Sequence, residues 1–524
     1  MPAGGIWEPF RRPTFRALWI AAVVSNVGTW MHDTAAGWTM TTLAPSPIMV
    51  SLMQTATSLP FFVLALPAGA LADIVDRRIL LLCTQAWMFA AAAALGGLAL
   101  AHAITPATLL GLTFALGTGA AMNAPAWQAT TPELVPRAEL PAAVALGGIS
   151  VNVARAVGPA LGGALVAAGG PAAVFLLNAA SFLGTLIALA AWRRERVPGS
   201  LPPERVLGAV RTGARYVRHA SALHAVLARS AAFILPAAAV WALLPLVARH
   251  QLGLDAAGYG IVLGGLGVGA IAGAFALPRL RAWLGLERLL GVAALLFAFA
   301  SAGLGLASRL EIGLAATLLG GVGWMATMST ISVAAQESVP GWVRARALAV
   351  SLLVIQGGLA FGALFWGVVA THVGIRSALL LAAAALGASA LVAQRFRLQS
   401  SETLDLSPSA HWETPVVRGD IDPDQGPVLV VVEYRVDPAN AAAFTEAMDE
   451  LERTRRRDGA IRWGLFQDVA EPARWVETFV VESWLEHLRQ HERVTMSDRV
   501  LQERIYGLVD GEPHISHLIA RRED

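Results

Sequence analysis

Residues 126–163 read AWQATTPELVPRAELPAAVALGGISVNVARAVGPALGG. A short charged link bearing Pro132, Glu133, Pro136, Arg137 and Glu139 leads into a long apolar run. That run holds Asn152 and Arg155 and closes on Gly158, Pro159, Gly162 and Gly163. In water so glycine-rich a run is a poor helix. In lipid it is a useful one, because helices there associate through small residues that let backbones approach. The pattern returns at 334–367 as AAQESVPGWVRARALAVSLLVIQGGLAFGALFWG. Setting position 135 on position 339, an offset of 204, brings Asn152 onto Gln356, Gly158 onto Gly362 and Gly163 onto Gly367. Two similar apolar halves predict a transporter built from an internal repeat.

Composition agrees. The 524 residues are 56% hydrophobic and 15% charged, far more apolar than a soluble domain of ordinary make-up. A formal net charge of +2 is too small to argue for nucleic acid, and no nucleic-acid partner is expected. All the basic residues are arginine. The single cysteine, Cys83, rules out an intrachain disulfide and a cysteine-based metal site. The first apolar run continues past Trp38 without a small-residue cleavage site, so it reads as a retained span.

Apolar runs long enough to cross a bilayer number about twelve. They lie near 15–41, 47–71, 79–101, 106–128, 140–167, 171–192, 223–248, 257–280, 286–307, 312–336, 345–370 and 375–394. Arginine clusters fall on one side: Arg11, Arg12 and Arg16; Arg77 and Arg78; Arg137; seven from Arg193 to Arg218; then Arg279 to Arg288, Arg344, Arg346, Arg395 and Arg397. The other side shows only Arg249, Arg309 and Arg376. The positive-inside rule then predicts a multi-pass protein of the bacterial inner membrane, with both termini and the C-terminal domain cytoplasmic.

The expected fold is an all-α membrane protein of about twelve transmembrane helices in two pseudo-symmetric six-helix bundles, 1–192 and 223–394. A cytoplasmic linker at 193–222 carries a surface helix over 204–218, and a polar linker spans 395–427. Residues 428–524 form a soluble domain. Its elements read as a strand at 428–436, a helix at 438–457, strands at 460–468 and 474–481, a helix at 484–509 and a strand at 514–519. That β-α-β-β-α-β order is ferredoxin-like.

Ionisable groups inside a membrane are costly and are functional candidates by default. Asn26, Thr29 and Asp33 share one stripe of the first span. In a water-filled cavity Asp33 would change protonation as its solvation changes and couple proton entry to a rearrangement; near the outer interface it would simply be solvated. Arg155, on the face of Asn152, is the second proton-coupling candidate. It would bind an anionic substrate group or pair with Asp33. At the 204 offset Ala237 stands opposite Asp33 and Leu359 opposite Arg155, so charge gathers in the N-terminal half and the C-terminal half offers mostly apolar and aromatic walls. A midplane cavity for a small-molecule substrate is expected among Asn26, Thr29, Trp30, Gln54, Phe61, Asn123, Asn152, Trp241, Trp324, Gln356 and Phe361, each of which also suits plain helix packing. Gly69, Asp73, Asp76, Arg77 and Arg78 join the second and third spans; with Glu133 as partner to an arginine they form either a conformational latch or a topology-setting loop.

These residues carry a resemblance. GALADIVDRR is similar to the cytoplasmic loop motif of the major facilitator superfamily, with Ile74 and Asp76 where that motif prefers a basic residue and a glycine. Gly158, Pro159, Gly162 and Gly163 resemble its fifth-helix antiporter motif, with Ala154 in place of the first glycine. The link at 125–163 resembles the enterobactin-exporter branch. The resemblance implies proton-driven export of a small amphipathic molecule, a siderophore or drug, by alternating access and without a cofactor beyond the proton gradient. In the fourth-helix motif Thr113 stands where the superfamily usually has an arginine implicated in proton transfer, and Arg155 is taken to supply that charge.

Residues 428–520, notably DGAIRWGLFQD and ESWLEHLRQHERVT, resemble the antibiotic-biosynthesis-monooxygenase type of dimeric α/β barrel. The resemblance implies cofactor-free oxidation or haem handling where such domains are catalytic. A regulatory or dimerising module is the preferred role here, and no catalytic residue is assigned. His487 and His491 lie four apart on a helix and could bind a metal, but two histidines without a third nearby ligand are a weak signal, a polar helix face or dimer contact is the preferred reading, and no metal ligand is assigned. Trp463, Trp475 and Trp484 read as core.

Overall fold

The computed structural model describes residues 6–136, 138–192, 216–218, 220–340, 342–396, 398, 405–407, 409, 411–412 and 421–520. Most of the predicted surface helix at 204–218 lies outside them, as does Arg137. The chain divides into two compact units. One comprises Met1–Leu201, Leu227–Ile331 and Ala349–Arg397; the other comprises Pro202–Val226, Ser332–Leu348 and Leu398–Asp524.

The described residues of the apolar region form ten α-helices: α1 (Pro13–Leu43), α2 (Pro47–Ile74), α3 (Arg77–Leu100), α4 (Pro106–Leu134), α5 (Leu140–Ala191), α6 (Ser221–Leu246), α7 (Ala256–Leu306), α8 (Leu310–Glu337), α9 (Arg344–Val373) and α10 (Ile375–Arg395). Proline starts several of them, since its missing N–H costs nothing in a first turn. Side chains cap others: Asp76 accepts from the Arg78 and Ile79 amides, Thr105 closes a capping box with Thr108, and Asp255 accepts from the Gly258 amide. Two helices are far longer than one crossing needs. α5 breaks at Gly170 (φ 75°) and α7 at Gly285 (φ 70°), backbone conformations that a Cβ would strain.

Among the described residues, eight helices are long and apolar enough to cross a membrane, with α5 and α7 each counted once. α1 falls outside that count because Arg16, Asp33 and a series of Ser, Thr and Asn residues dilute its apolar surface.

The C-terminal part folds as β1 (Val428–Arg435), α11 (Ala441–Asp458), β2 (Arg462–Gln467), β3 (Arg474–Val481), α12 (Trp484–Arg493), α13 (Met496–Tyr506) and β4 (His514–Ile519). Its antiparallel sheet runs in the order β2-β3-β1-β4. Val428, Val430, Val432 and Tyr434 alternate inward from β1 onto Phe444, Met448 and Leu451 of α11. One predicted element is corrected. The helix expected over 484–509 is two helices, because Val494 is extended and Thr495 starts α13 with a capping box to Asp498.

This core contains a charge pair with no exposure to speak of. Arg455 donates to Glu477 at 2.9 and 3.3 Å, while Tyr434 and Trp463 donate to the same carboxylate at 2.8 and 3.0 Å. The carboxylate offsets the burial of the Arg455 guanidinium, whose pKa is held above its ordinary value, and burial pushes the Tyr434 phenol up. Glu477→Ala would strand Arg455 without a counter-charge, at a cost of about 3–5 kcal/mol. Pulse proteolysis of the full-length protein is expected to show that loss as early cleavage after residue 427; wild-type resistance would contradict it.

Candidate functional site

The glycines of α5 decide how the two halves meet. A methyl group on Gly158 would lie 2.5 Å from Trp30 Cβ, and one on Gly162 would lie 2.8 Å from Met31 Cα, so α1 rests directly on this face. The neighbouring face receives α7. A methyl on Gly163 would sit 2.3 Å from the Ala256 carbonyl oxygen, one on Gly260 would sit 2.4 Å from the Pro159 oxygen, and one on Gly267 would sit 2.6 Å from the Arg155 oxygen. Pro159, which has no N–H, fits within this seam.

The repeat makes the matching contacts in α9. A methyl on Gly362 would lie 2.7 Å from the Leu235 oxygen of α6, and one on Gly367 would lie 2.6 Å from Ser51 Cβ of α2. Gly158 and Gly362 thus each seat the first helix of their own half, while Gly163 and Gly367 each seat the second helix of the other half. The 204-residue offset read from the letters is also an offset of contacts.

An aromatic strip crosses between the halves in the same region. The Arg155 guanidinium lies 5.8 Å from the Trp30 ring, Trp30 is 6.4 Å from Trp241, and Trp241 is 5.2 Å from Trp324. Trp324 then meets Phe233 and Phe297 at 6.1 and 5.9 Å. The structure therefore brings four predicted residues together as touching rings and a cation. Neither Arg155 Nε nor Trp241 Nε1 has a hydrogen-bond partner among the described residues, though both atoms are buried. Asp33, half-buried on α1, forms no ion pair with Arg155 there; its electrostatic neighbour is Tyr259 of α7.

The other predicted lining residues are spread out. Asn26 donates to Ser150 of α5 at 3.1 Å, Thr29 bonds its own helix at the Ser25 oxygen, and Asn152 bonds its own helix at the Gly148 oxygen. Gln54 donates to Ser58 on its own helix, and Asn123 accepts from Thr84 and Gln85 of α3. Phe361, half exposed, packs edge-on against Phe62 at 5.4 Å, beside the half-buried Phe61. Gln356 is half-buried on α9.

Of the proposed latch, Arg77 pairs with Glu133 at 2.6 Å and also reaches the Ala129 oxygen. Arg78 caps the end of α5 through the Leu189 and Ala190 oxygens at 3.0 and 2.6 Å. Asp76 is the N-cap of α3, Gly69 has open space around it, and the Asp73 side chain lies outside the described residues. These contacts tie α3 to α4 and α5, all within one half. Both members of the Arg77–Glu133 pair are about a quarter exposed, so Glu133→Gln is expected to cost under about 1 kcal/mol in thermal unfolding in detergent.

Several residues escaped the sequence reading. Arg249 of the π turn at Val247–Gln251 donates to Thr41 and Thr42 of α1 at 3.0 and 2.6 Å and lies over Trp38, which stacks on Tyr259. His32, next to Asp33, is buried against Phe175, and neither ring nitrogen is hydrogen-bonded among the described residues. The C-terminal half, expected from the repeat to offer mostly apolar and aromatic walls, also holds a charge pair, Arg229 of α6 with Glu287 of α7. Glu287 lies at the very start of a predicted span, where an acid reads as an interfacial charge. In the C-terminal part, His517 of β4 joins His487 and His491, which corrects the expectation that no third ligand stood near.

Two halves of apolar helices, seamed by repeated glycines around a shared aromatic strip, define a membrane transporter of the major facilitator type. The chain belongs to the family described as transmembrane secretion effector, whose model matches residues 4–524 and so takes in the C-terminal sheet as well. That family is one of membrane transporters. The enterobactin exporter EntS of Salmonella typhi is 29% identical over 267 residues, covering 50% of this chain and 63% of that protein. The uncharacterized MFS-type transporter YfiS of Bacillus subtilis (strain 168) is 29% identical over 192 residues, covering 34% of this chain and 43% of that protein. The chain thus spans less than two thirds of each. In fold it is similar to a bacterial homolog of the human lysosomal transporter Spinster in its inward-facing, occupied conformation, with a TM-score of 0.60 at 16% identity, covering 75% of this chain and 98% of that one. The nucleoside transporter NupG gives a TM-score of 0.58 at 10% identity, covering 74% of this chain and 100% of that one.

Proposed function

We propose that the protein is a proton-coupled exporter of a small amphipathic molecule, of siderophore or drug type, working by alternating access in the bacterial inner membrane. The observation that carries this is the continuous strip Arg155–Trp30–Trp241–Trp324, which joins both halves with Asp33 one turn along α1 from Trp30. Flat rings accept the apolar body of such a molecule, and the Arg155 guanidinium, whose buried Nε has no partner among the described residues, donates to an anionic group on it. Asp33 carries the proton, and the proton gradient is the only energy source.

Twelve crossings follow on this reading. At 1.5 Å per residue α5 and α7 would each be about 75–80 Å long, more than twice a hydrocarbon core. Each is taken as two crossings turned at its broken glycine, and the other eight helices as one each. Both termini and the soluble part are then cytoplasmic. The end of the bundle that holds Ser51, Gly163, Ala256 and Gly367 is the outer end, closed by backbone contact. At the cytoplasmic end Gly69, Gly147 and Gly148 meet open space, which suits an inward-open state. The soluble part is proposed to be ferredoxin-like and related to the monooxygenase-type barrels, a reading its strand order supports, and to serve regulation or dimerisation.

Everted vesicles test the proposal. Uptake of a catecholate siderophore or a lipophilic dye should rise when the interior is made acidic and collapse with an ionophore. Equal uptake with and without the gradient would make the protein a uniporter.

A further inference from the structure

The soluble domain places three imidazoles in one cluster. His487 and His491 stand on adjacent turns of α12, and His517 comes from the edge strand β4, where it pairs across from Val430 of β1. One ring nitrogen from each of the three lies within 4.8 Å of the others. The Nε2 atoms of His487 and His491 are 3.4 Å apart. Two nitrogens bound to one tetrahedral zinc ion at about 2.0–2.1 Å stand roughly 3.3–3.4 Å apart, so this pair already has the spacing of two ligands. The rings of His487 and His517 are 4.7 Å apart, close enough that a modest shift of the edge strand brings the third nitrogen in.

We propose that His487, His491 and His517 bind a divalent late-transition metal ion, with the fourth coordination position open. Imidazole nitrogens without carboxylate or thiolate suit zinc, nickel or copper rather than calcium or magnesium, which take oxygen.

One further observation favours a ligand set over an ordinary polar patch. His487 is almost fully buried, and neither its Nδ1 nor the buried Oε1 of Gln490, three residues on along the same helix, has a hydrogen-bond partner among the described residues. With metal on Nε2, the proton moves to Nδ1 and donates to that amide oxygen, the arrangement that orients metal-bound histidines. Trp412, 5.1 Å from His491, and Trp484, 5.4 Å from His487, wall the cluster.

A direct hydrogen bond between the His487 and His491 Nε2 atoms would hold those two rings without metal, so the test turns on His517. Purified full-length protein in detergent is titrated with zinc alone, the bound ion is counted by elemental analysis, and cobalt is used as a visible-absorption probe of tetrahedral nitrogen ligation. One zinc per chain is expected. His517→Ala, on the exposed edge strand, should weaken binding more than about 100-fold, and Gln490→Ala about 10-fold. His514→Ala, on the same strand but outside the cluster, should bind like wild type. Proteolytic resistance of the domain reports on folding in each variant. Zinc binding unchanged in a folded His517→Ala protein, or no stoichiometric binding by wild type, would overturn the proposal.

Discussion

Asp33→Asn is expected to abolish gradient-driven uptake into everted vesicles, a fall of at least about 10-fold, while the protein still inserts and folds. The carboxylate sits half-buried in α1, where a fixed charge is expensive and a transferable proton relieves the cost. Asparagine keeps the shape and removes the proton, so coupling is lost while binding survives. Substrate exchange without a gradient should therefore persist. Arg155→Ala should remove both coupled export and exchange, because its guanidinium lies over Trp30 with a buried, unpartnered Nε facing the strip. Arg155→Lys keeps the charge but loses the flat stacking and is expected to restore little. No ion pair joins Asp33 to Arg155, so the two variants should differ in exchange. Unimpaired transport in either one removes that residue from the mechanism.

How much of this was legible in the letters follows from which physics sets each feature. Helix positions are local: runs of apolar residues stopped by Gly, Pro and arginine place each predicted span on a helix, with four of them overrunning its C-terminal end by one or two residues, and Pro13, Pro47 and Pro106 mark starts. The glycine seam was legible as a repeat, yet its partners were not, because nothing at Gly163 says that Ala256 will lie against it. The aromatic strip was half legible. Trp30, Trp241 and Trp324 stood out as polar-tipped rings at midspan, whereas Gln54 and Asn152 carry the same signal and bond their own helices, and Asn123 bonds α3. Long-range polar pairs were the hardest. Arg249 with Thr41 and Thr42, or Arg12 with Glu139 at 3.0 Å, depend on which helices meet, and single arginines near span ends read only as topology marks. The histidine triad shows the same limit: the i, i+4 pair is visible on one helix, but the third member arrives through sheet order.

Gly163→Val should impair export by at least about 10-fold, and for a different reason. Valine at this position brings a Cβ to 2.3 Å from the Ala256 oxygen and 3.0 Å from Gly260 Cα, both backbone atoms that no rotamer change can clear. α5 and α7 must separate, and the closed end of the bundle is destabilised relative to a state in which it is open. Gly367→Val, which meets Ser51 and Ile48 of α2, should do the same through the repeat. Gly148→Ala is the control, since open space surrounds it. The conformational effect is read by Ser51→Cys in a Cys83→Ser background, labelled from outside with a membrane-impermeant maleimide. Slow labelling is expected with the native glycines and several-fold faster labelling with either valine, because a transporter that cannot seal one end dwells in the state open there. If both valine variants labelled as slowly as the parent and exported normally, these seams would be simple packing, and alternation would have to be controlled elsewhere in the bundle.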